Sequence, residues 1–242
     1  MLEGISGRMD GFMKKRLLSA AAMLVIIAVL AVYLSNGYDA SAGAQRMMEK
    51  STDLGHAHAF VPKETRAGLI FYPGGKVDHA AYAPLMLALQ ERGILALLVE
   101  MPLDLAVLDM NAADGLQAMY PDVERWMIGG HSLGGAMAAG YVNKHAQDYE
   151  ALVLLGAYSA ADLSDTALSV LSIYGTQDGV LNRTKYEECR KNYPEGLREV
   201  VLEGGCHANF GDYGAQKGDG VPTIGREEQL KRTADAIAAM LE

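Results

Sequence analysis

Apolar runs that are continuous rather than alternating restrict this chain more than any other feature of its sequence. Seven of them, at 57–61, 67–72, 94–99, 125–130, 151–157, 170–175 and 198–203, are short enough to be strands. A strand with one wet face alternates apolar and polar residues, whereas an unbroken apolar strand is covered on both faces, as in a parallel sheet. Helical patterns separate the runs at 80–93, which Gly93 closes as a C-cap, and at 134–146, 184–193 and 226–242. This order predicts one α/β domain, a mostly parallel central sheet with helices on both faces. With half of its residues hydrophobic and 21% charged, the chain has the material for one such core.

One junction does more than change direction. The run around Trp126 enters Gly130-His131-Ser132-Leu133-Gly134-Gly135 and leaves it as an alanine-rich helix pattern. A strand-to-helix turn this tight strains the serine's dihedrals and leaves no room for side chains two residues to either side, which glycine at 130 and 134 satisfies. The Ser132 hydroxyl then projects from the turn, and the Leu133 N–H at the helix start can donate to an oxyanion. A serine nucleophile needs a histidine base and an acid behind it, here at later strand ends. Asp178 follows the next-to-last apolar run and His207 follows the last; Asp162 and Asp165, one loop earlier, are alternatives for the acid. Among the other histidines, His56, His58 and His79 precede the serine, His131 adjoins it and His145 lies on its helix pattern, so only His207 fits the order.

Through GHSLGG at 130–135, GTQD at 175–178 and GGCH at 204–207, the segment 67–242 resembles a small α/β-hydrolase of the dienelactone-hydrolase-like, esterase-type group. The resemblance implies the α/β-hydrolase fold and cleavage of a small-molecule carboxylic ester, or a related acyl bond, through Ser132, His207 and Asp178. An acyl-enzyme intermediate would form with no metal and no organic cofactor. It further implies a second oxyanion donor in the loop after 67–72. There the sequence departs from the family's His-Gly pair, with Tyr72-Pro73 in its place and two glycines following. Gly75 is the expected donor, with Gly74 and Lys76 as alternatives of register. An acyltransferase, thioesterase or peptidase would use the same triad, and the missing His-Gly pair keeps open a catalytically idle binding protein on this scaffold.

No cap fits into the short connection at 158–169, so the site is expected to be open. Expected substrate contacts are Tyr72, His131, Phe210, Tyr213, Gln216 and Lys217, the last four on a glycine-rich return at 208–225 that must pass near the catalytic histidine. His56 and His58 stand like two ligands on one strand face, but no third ligand follows at a usual spacing, so no metal is expected. Two cysteines, Cys189 and Cys206, admit one bridge at most. A net charge of −9 without a basic stripe excludes a nucleic-acid partner.

The amino terminus differs in kind. Residues 17–34 are uncharged and largely apolar, directly after Lys14, Lys15 and Arg16. At about 1.5 Å per residue the run approximates a bilayer core, and the preceding cations put the amino terminus in the cytoplasm. The expected organisation is a cytoplasmic terminus, one transmembrane anchor and a linker over 1–44, then a hydrolase domain over 45–242 on the outer side. A signal peptide cut near Ala42 to Ala44, giving a secreted enzyme, is the alternative.

Overall fold

The computed structural model describes residues 37–242, together with Met23 and Val25. Apart from those two residues, the expected anchor at 17–34 lies outside the described residues. Among the described residues, no helix is long and apolar enough to cross a membrane.

Eight strands form one sheet in the order β1-β2-β4-β3-β5-β6-β7-β8. They are β1 (Thr52–Asp53), β2 (Ala57–Phe60), β3 (Ala67–Tyr72), β4 (Ile94–Val99), β5 (Trp126–His131), β6 (Ala151–Leu155), β7 (Ser169–Gly175) and β8 (Arg198–Leu202). All pairings from β4 to β8 are parallel, and β3 to β6 are buried at every residue, as their unbroken apolar runs require. The β1–β2 hairpin is the exception: β2 runs antiparallel to β4. The short 61–66 connection to β3 has no room for the crossover that parallel strands need.

Helices α1 (Ala42–Met48), α2 (Ala83–Gln90) and α5 (Arg226–Ala238) cover one face. Helix α3 (Leu133–Val142) and the turns at 102–119 cover the other, with α4 (Arg183–Cys189) directing the Tyr186 hydroxyl to Ser172 of β7 at 2.9 Å. Strand β3 lies between β4 and β5, so chain connections leave it and β5 in opposite directions, and the crevice above that point is where open α/β sheets place their ligands.

Helix α1 was illegible in the sequence, where 42–44 read as the end of the linker and 45–48 as the start of the domain without an element. It is fixed by Ser41, whose Oγ accepts the Ala44 N–H at 3.0 Å and donates to Asp212 at 2.6 Å. Just before it, the Tyr38 N–H donates to the Lys76 carbonyl at 2.7 Å, and the compact unit runs from Tyr38 to Glu242.

Candidate active site

Ser132 follows β5 and forms the N-cap of α3 with φ 52° and ψ −120°, a conformation that L residues avoid. Its neighbours explain why the chain accepts the strain. A Cβ on Gly130 would sit 2.6 Å from the Tyr72 carbonyl oxygen, and one on Gly134 would fall onto the carbonyls of Pro73 and Tyr72. The helix start is thus pressed against the end of β3, and only glycines allow that approach. The Leu133 N–H, first of the helix, has no intrahelical acceptor.

Asp178 and His207 reach the same place from the ends of β7 and β8. Asp178 Oδ2 lies 2.9 Å from His207 Nδ1, with both side chains buried. The other carboxylate oxygen accepts the Val180 and Leu181 N–H groups at 2.9 and 2.8 Å, which fixes the rotamer. His207 Nε2 is buried without a hydrogen-bond partner, and Ser132 and His207 line one cleft of about 300 Å³. Leu133, Ala157, Val180 and Leu181 supply much of its wall. A larger groove of about 640 Å³ lies at the opposite, amino-terminal ends of β3 and β4, among Lys63, Arg66 and Glu91, remote from these groups.

Hydrogen bonding separates the three oxyanion-loop candidates. The Gly74 N–H donates to the Tyr82 hydroxyl at 2.9 Å, and the Lys76 N–H donates to the Asp104 carbonyl at 2.8 Å. Gly75 alone keeps an N–H without an acceptor among the described residues, and it abuts Leu133 so closely that a Cβ would meet the leucine's Cδ2 at 2.8 Å.

The expected substrate contacts do not line this cleft. Tyr72 is fully buried, its hydroxyl donating to the Met110 carbonyl at 2.8 Å and accepting the Ala113 N–H at 3.0 Å. Phe210 is core, and Tyr213 packs on Tyr38 with its hydroxyl 3.0 Å from Gln216 Oε1. The Lys217 N–H donates to the Tyr38 hydroxyl, its side chain lying on the outer surface. Within the return at 208–225, Phe210 packs on His131 and Tyr213 on Tyr38, so both rings are taken up in the core, while Asp219 brings the segment back against His207.

His131 is buried behind His207, ring centroids 4.4 Å apart. The Tyr82 hydroxyl, which accepts the Gly74 N–H at 2.9 Å, lies 2.8 Å from His131 Nδ1. Burial, reinforced by neighbouring His207, holds the His131 pKa well below 6.5.

Asp219 is the neighbour of the candidate site that the sequence did not reveal. Its Oδ1 accepts the N–H groups of Gly179 and His207, both at 3.1 Å, and its Oδ2 that of Ala208 at 2.8 Å. One carboxylate therefore joins the loop of Asp178 to the loop of His207. Burial would raise its pKa, but the donors from Ala208, Gly179 and His207 outweigh this and hold it below the usual value. Asp219 belongs to KGDG, which has no periodicity or motif to mark it. Both cysteines are free thiols, and burial pushes that of Cys206 up to about 11.

Comparisons with known proteins agree with this architecture. Est1E from Butyrivibrio proteoclasticus superposes with a TM-score of 0.58 at 15% identity, over 79% of this chain and 97% of that one. The esterase domain of a Rhodothermus marinus protein gives 0.57 at 13% identity, over 76% and 90% of the two chains. A CIB-like hydrolase from Thermoplasma acidophilum gives 0.54 at 14%, over 78% and 96%. At such identities these likenesses establish the fold alone. No curated protein sequence matches the chain. The model of the alpha/beta hydrolase family matches residues 68–231, more than half of the sequence, and the chain belongs to that family.

Proposed function

We propose that this protein is a serine hydrolase that cleaves small carboxylic esters through an acyl-enzyme intermediate. The observation that carries the reading is the strained Ser132 in one cleft with His207, whose Nδ1 is held by Asp178 at 2.9 Å. With Nδ1–H donated to the carboxylate, Nε2 keeps a lone pair for the serine proton, and Asp178 stabilises the imidazolium that forms. Ser132 attacks the carbonyl, and the N–H groups of Leu133 and Gly75 receive the oxyanion. His207 then protonates the leaving alcohol and activates water against the acyl-enzyme. His207 Nε2 has no hydrogen-bond partner here, and the mechanism requires that its bond to Ser132 form as substrate binds, as catalytic hydrogen bonds often do.

The cleft is at the small end of ligand sites and walled by aliphatic side chains, which favours short or planar acyl groups. A solved structure has ferulic acid bound to Est1E, so aryl acyl esters join short-chain esters in the first panel. We place the enzyme on the outer face of a membrane, anchored by 17–34. The helix α1 cap at Ser41 favours retention of the segment, since a cut near Ala42 to Ala44 falls inside the helix.

The test is covalent labelling of the full chain by a fluorophosphonate, wild type beside Ser132→Ala and His207→Ala, with each fold verified by circular dichroism. Labelling of wild type alone is expected, with ester turnover reduced about 10⁶-fold by Ser132→Ala. Folded wild type that resists the probe would overturn the reading in favour of an idle scaffold, the alternative that the unpartnered His207 Nε2 supports.

A further inference from the structure

A second cluster of chemistry-bearing side chains lies outside the cleft. His58 of β2, His79 at the head of the 3-10 turn His79–Tyr82, and Glu100 just beyond β4 each offer a ligand atom, all within 4.8 Å of one another. The sheet brings two of them together. His58 faces Leu98 in the antiparallel β2–β4 register, and the Glu100 N–H prolongs the pairing by donating to the His56 carbonyl at 2.9 Å. Two residues past Leu98, Glu100 returns to the face of His58. His79 arrives on that face from the loop after β3, and His56, which the sequence paired with His58, is not among the three.

From these residues we infer a binding site for one divalent cation of the zinc class, held by His58, His79 and Glu100 with water completing a tetrahedron. Two imidazoles and a carboxylate are a donor set that zinc accepts, leaving one position open. The two imidazoles are stacked neighbours, centroids 5.1 Å apart and planes 15° from parallel, so their lone pairs must turn to converge on one ion. A tetrahedral edge is about 3.4 Å, so closure around the ion requires side-chain rotation, which half-exposed His79 and exposed Glu100 can supply.

The groups behind the histidines point the same way. The Ser51 hydroxyl gives its proton to the Met48 carbonyl at 2.7 Å, so at its 3.3 Å contact with His58 Nδ1 the imidazole is the donor. Nε2 is thereby left with the lone pair, the tautomer that a ligating histidine adopts when its other nitrogen is held by a neighbour. His79 Nδ1 faces Asp78 Oδ1 at 3.7 Å, and Asp53 and Asp104 add negative potential nearby. The ion would fasten β2 and β4 to the loop that carries Gly74, Gly75 and Tyr82, bracing it from outside the cleft.

The experiment is titration of metal-stripped full-length protein with Co(II), followed by its visible d–d bands, then displacement by Zn(II). One equivalent per chain is expected, with tetrahedral bands and micromolar or tighter affinity. His58→Ala and His79→Ala should each weaken binding about 100-fold or more, and Ser51→Ala, which removes only the orienting hydroxyl, about 10-fold. His56→Ala and His207→Ala should leave it unchanged. Glu100→Gln keeps the residue's shape at an exposed position, so its weakened binding reads the site even if a histidine variant misfolds. No saturable binding, or binding kept in His79→Ala and lost in His56→Ala or His207→Ala, would overturn the inference.

Discussion

The serine turn and the histidine loop carry the two reacting groups of the proposed site, yet they are held by opposite means. At the serine turn the restraint is steric and local. Glycines at 130 and 134 let α3 press against the end of β3, and Ser132 takes the resulting strain at φ 52°. At the histidine loop it is electrostatic and remote, because Asp219 gathers N–H groups from His207, Ala208 and Gly179. A steric restraint fails all at once when an atom is added, whereas a hydrogen-bonded one fails by degrees.

Gly134→Ala should therefore have the largest effect. The new methyl would lie on backbone carbonyls of Pro73 and Tyr72, which have no rotamer by which to yield. If α3 retreats by about an ångström, Ser132 and the Leu133 N–H leave their alignment, and ester turnover should fall at least about 10²-fold. Overpacking should cost about 1–3 kcal/mol besides. Urea unfolding and steady-state turnover measure both, and a variant of ordinary activity would disprove steric control of the turn.

Asp219 should yield in steps. Asp219→Asn keeps an acceptor oxygen for part of the set, and about a 10-fold loss of kcat is expected; Asp219→Ala strands three N–H groups and should lose about 10²-fold, with KM little changed. Each stranded donor costs about 1–3 kcal/mol where it is buried. Equal losses in the two variants would mean that charge alone, not the geometry of the acceptors, positions His207.

This contrast also separates what the sequence could reveal from what it could not. The apolar runs of β3 and β4 matched their strands residue for residue, and β5 was displaced by one, because burial on both faces leaves an unbroken pattern. Ser132, Asp178 and His207 were legible since glycine spacing and strand-end order are local properties. Asp219, Tyr82 and the His58–His79–Glu100 cluster were not, since each acts through partners from other elements. The burial of Phe210 and Tyr213 was hidden for the same reason: proximity in sequence to His207 carries no information on the direction in which they face. Helix α1 went unseen because its cap on Asp212 is a contact across the fold.

His131 touches both regions and should set a smaller, pH-dependent term. Its folded pKa lies well below 6.5, so below pH 6.5 the unfolded chain takes up a proton that the native protein refuses. Stability from this group is complete above pH 6.5 and declines as pH falls, by at most about 1.4 kcal/mol per unit. His131→Gln shifts the whole curve but removes that slope. Urea unfolding between pH 6.5 and 5 should thus be less steep in pH for the variant. Identical slopes would mean that His131 titrates in the native state, which its burial beside His207 opposes.

The smallest effect should come from Ser41, which ties α1 to the histidine loop through Asp212. The arrangement is shared: Asp212 accepts from the Ser41 hydroxyl while Arg226 pairs with its other oxygen. Ser41→Ala removes a helix cap, worth about 1 kcal/mol, and leaves Asp212 its arginine. Loss of protection in hydrogen exchange should concentrate in α1 and at 208–213 and be smaller at the serine turn, which Ser41 reaches through that segment and the packing of Phe210 on His131 of β5. Were the turn to loosen equally, the two restraints would form one cooperative unit, and the distinction between a steric and a polar half of the site would hold for local geometry but not for stability.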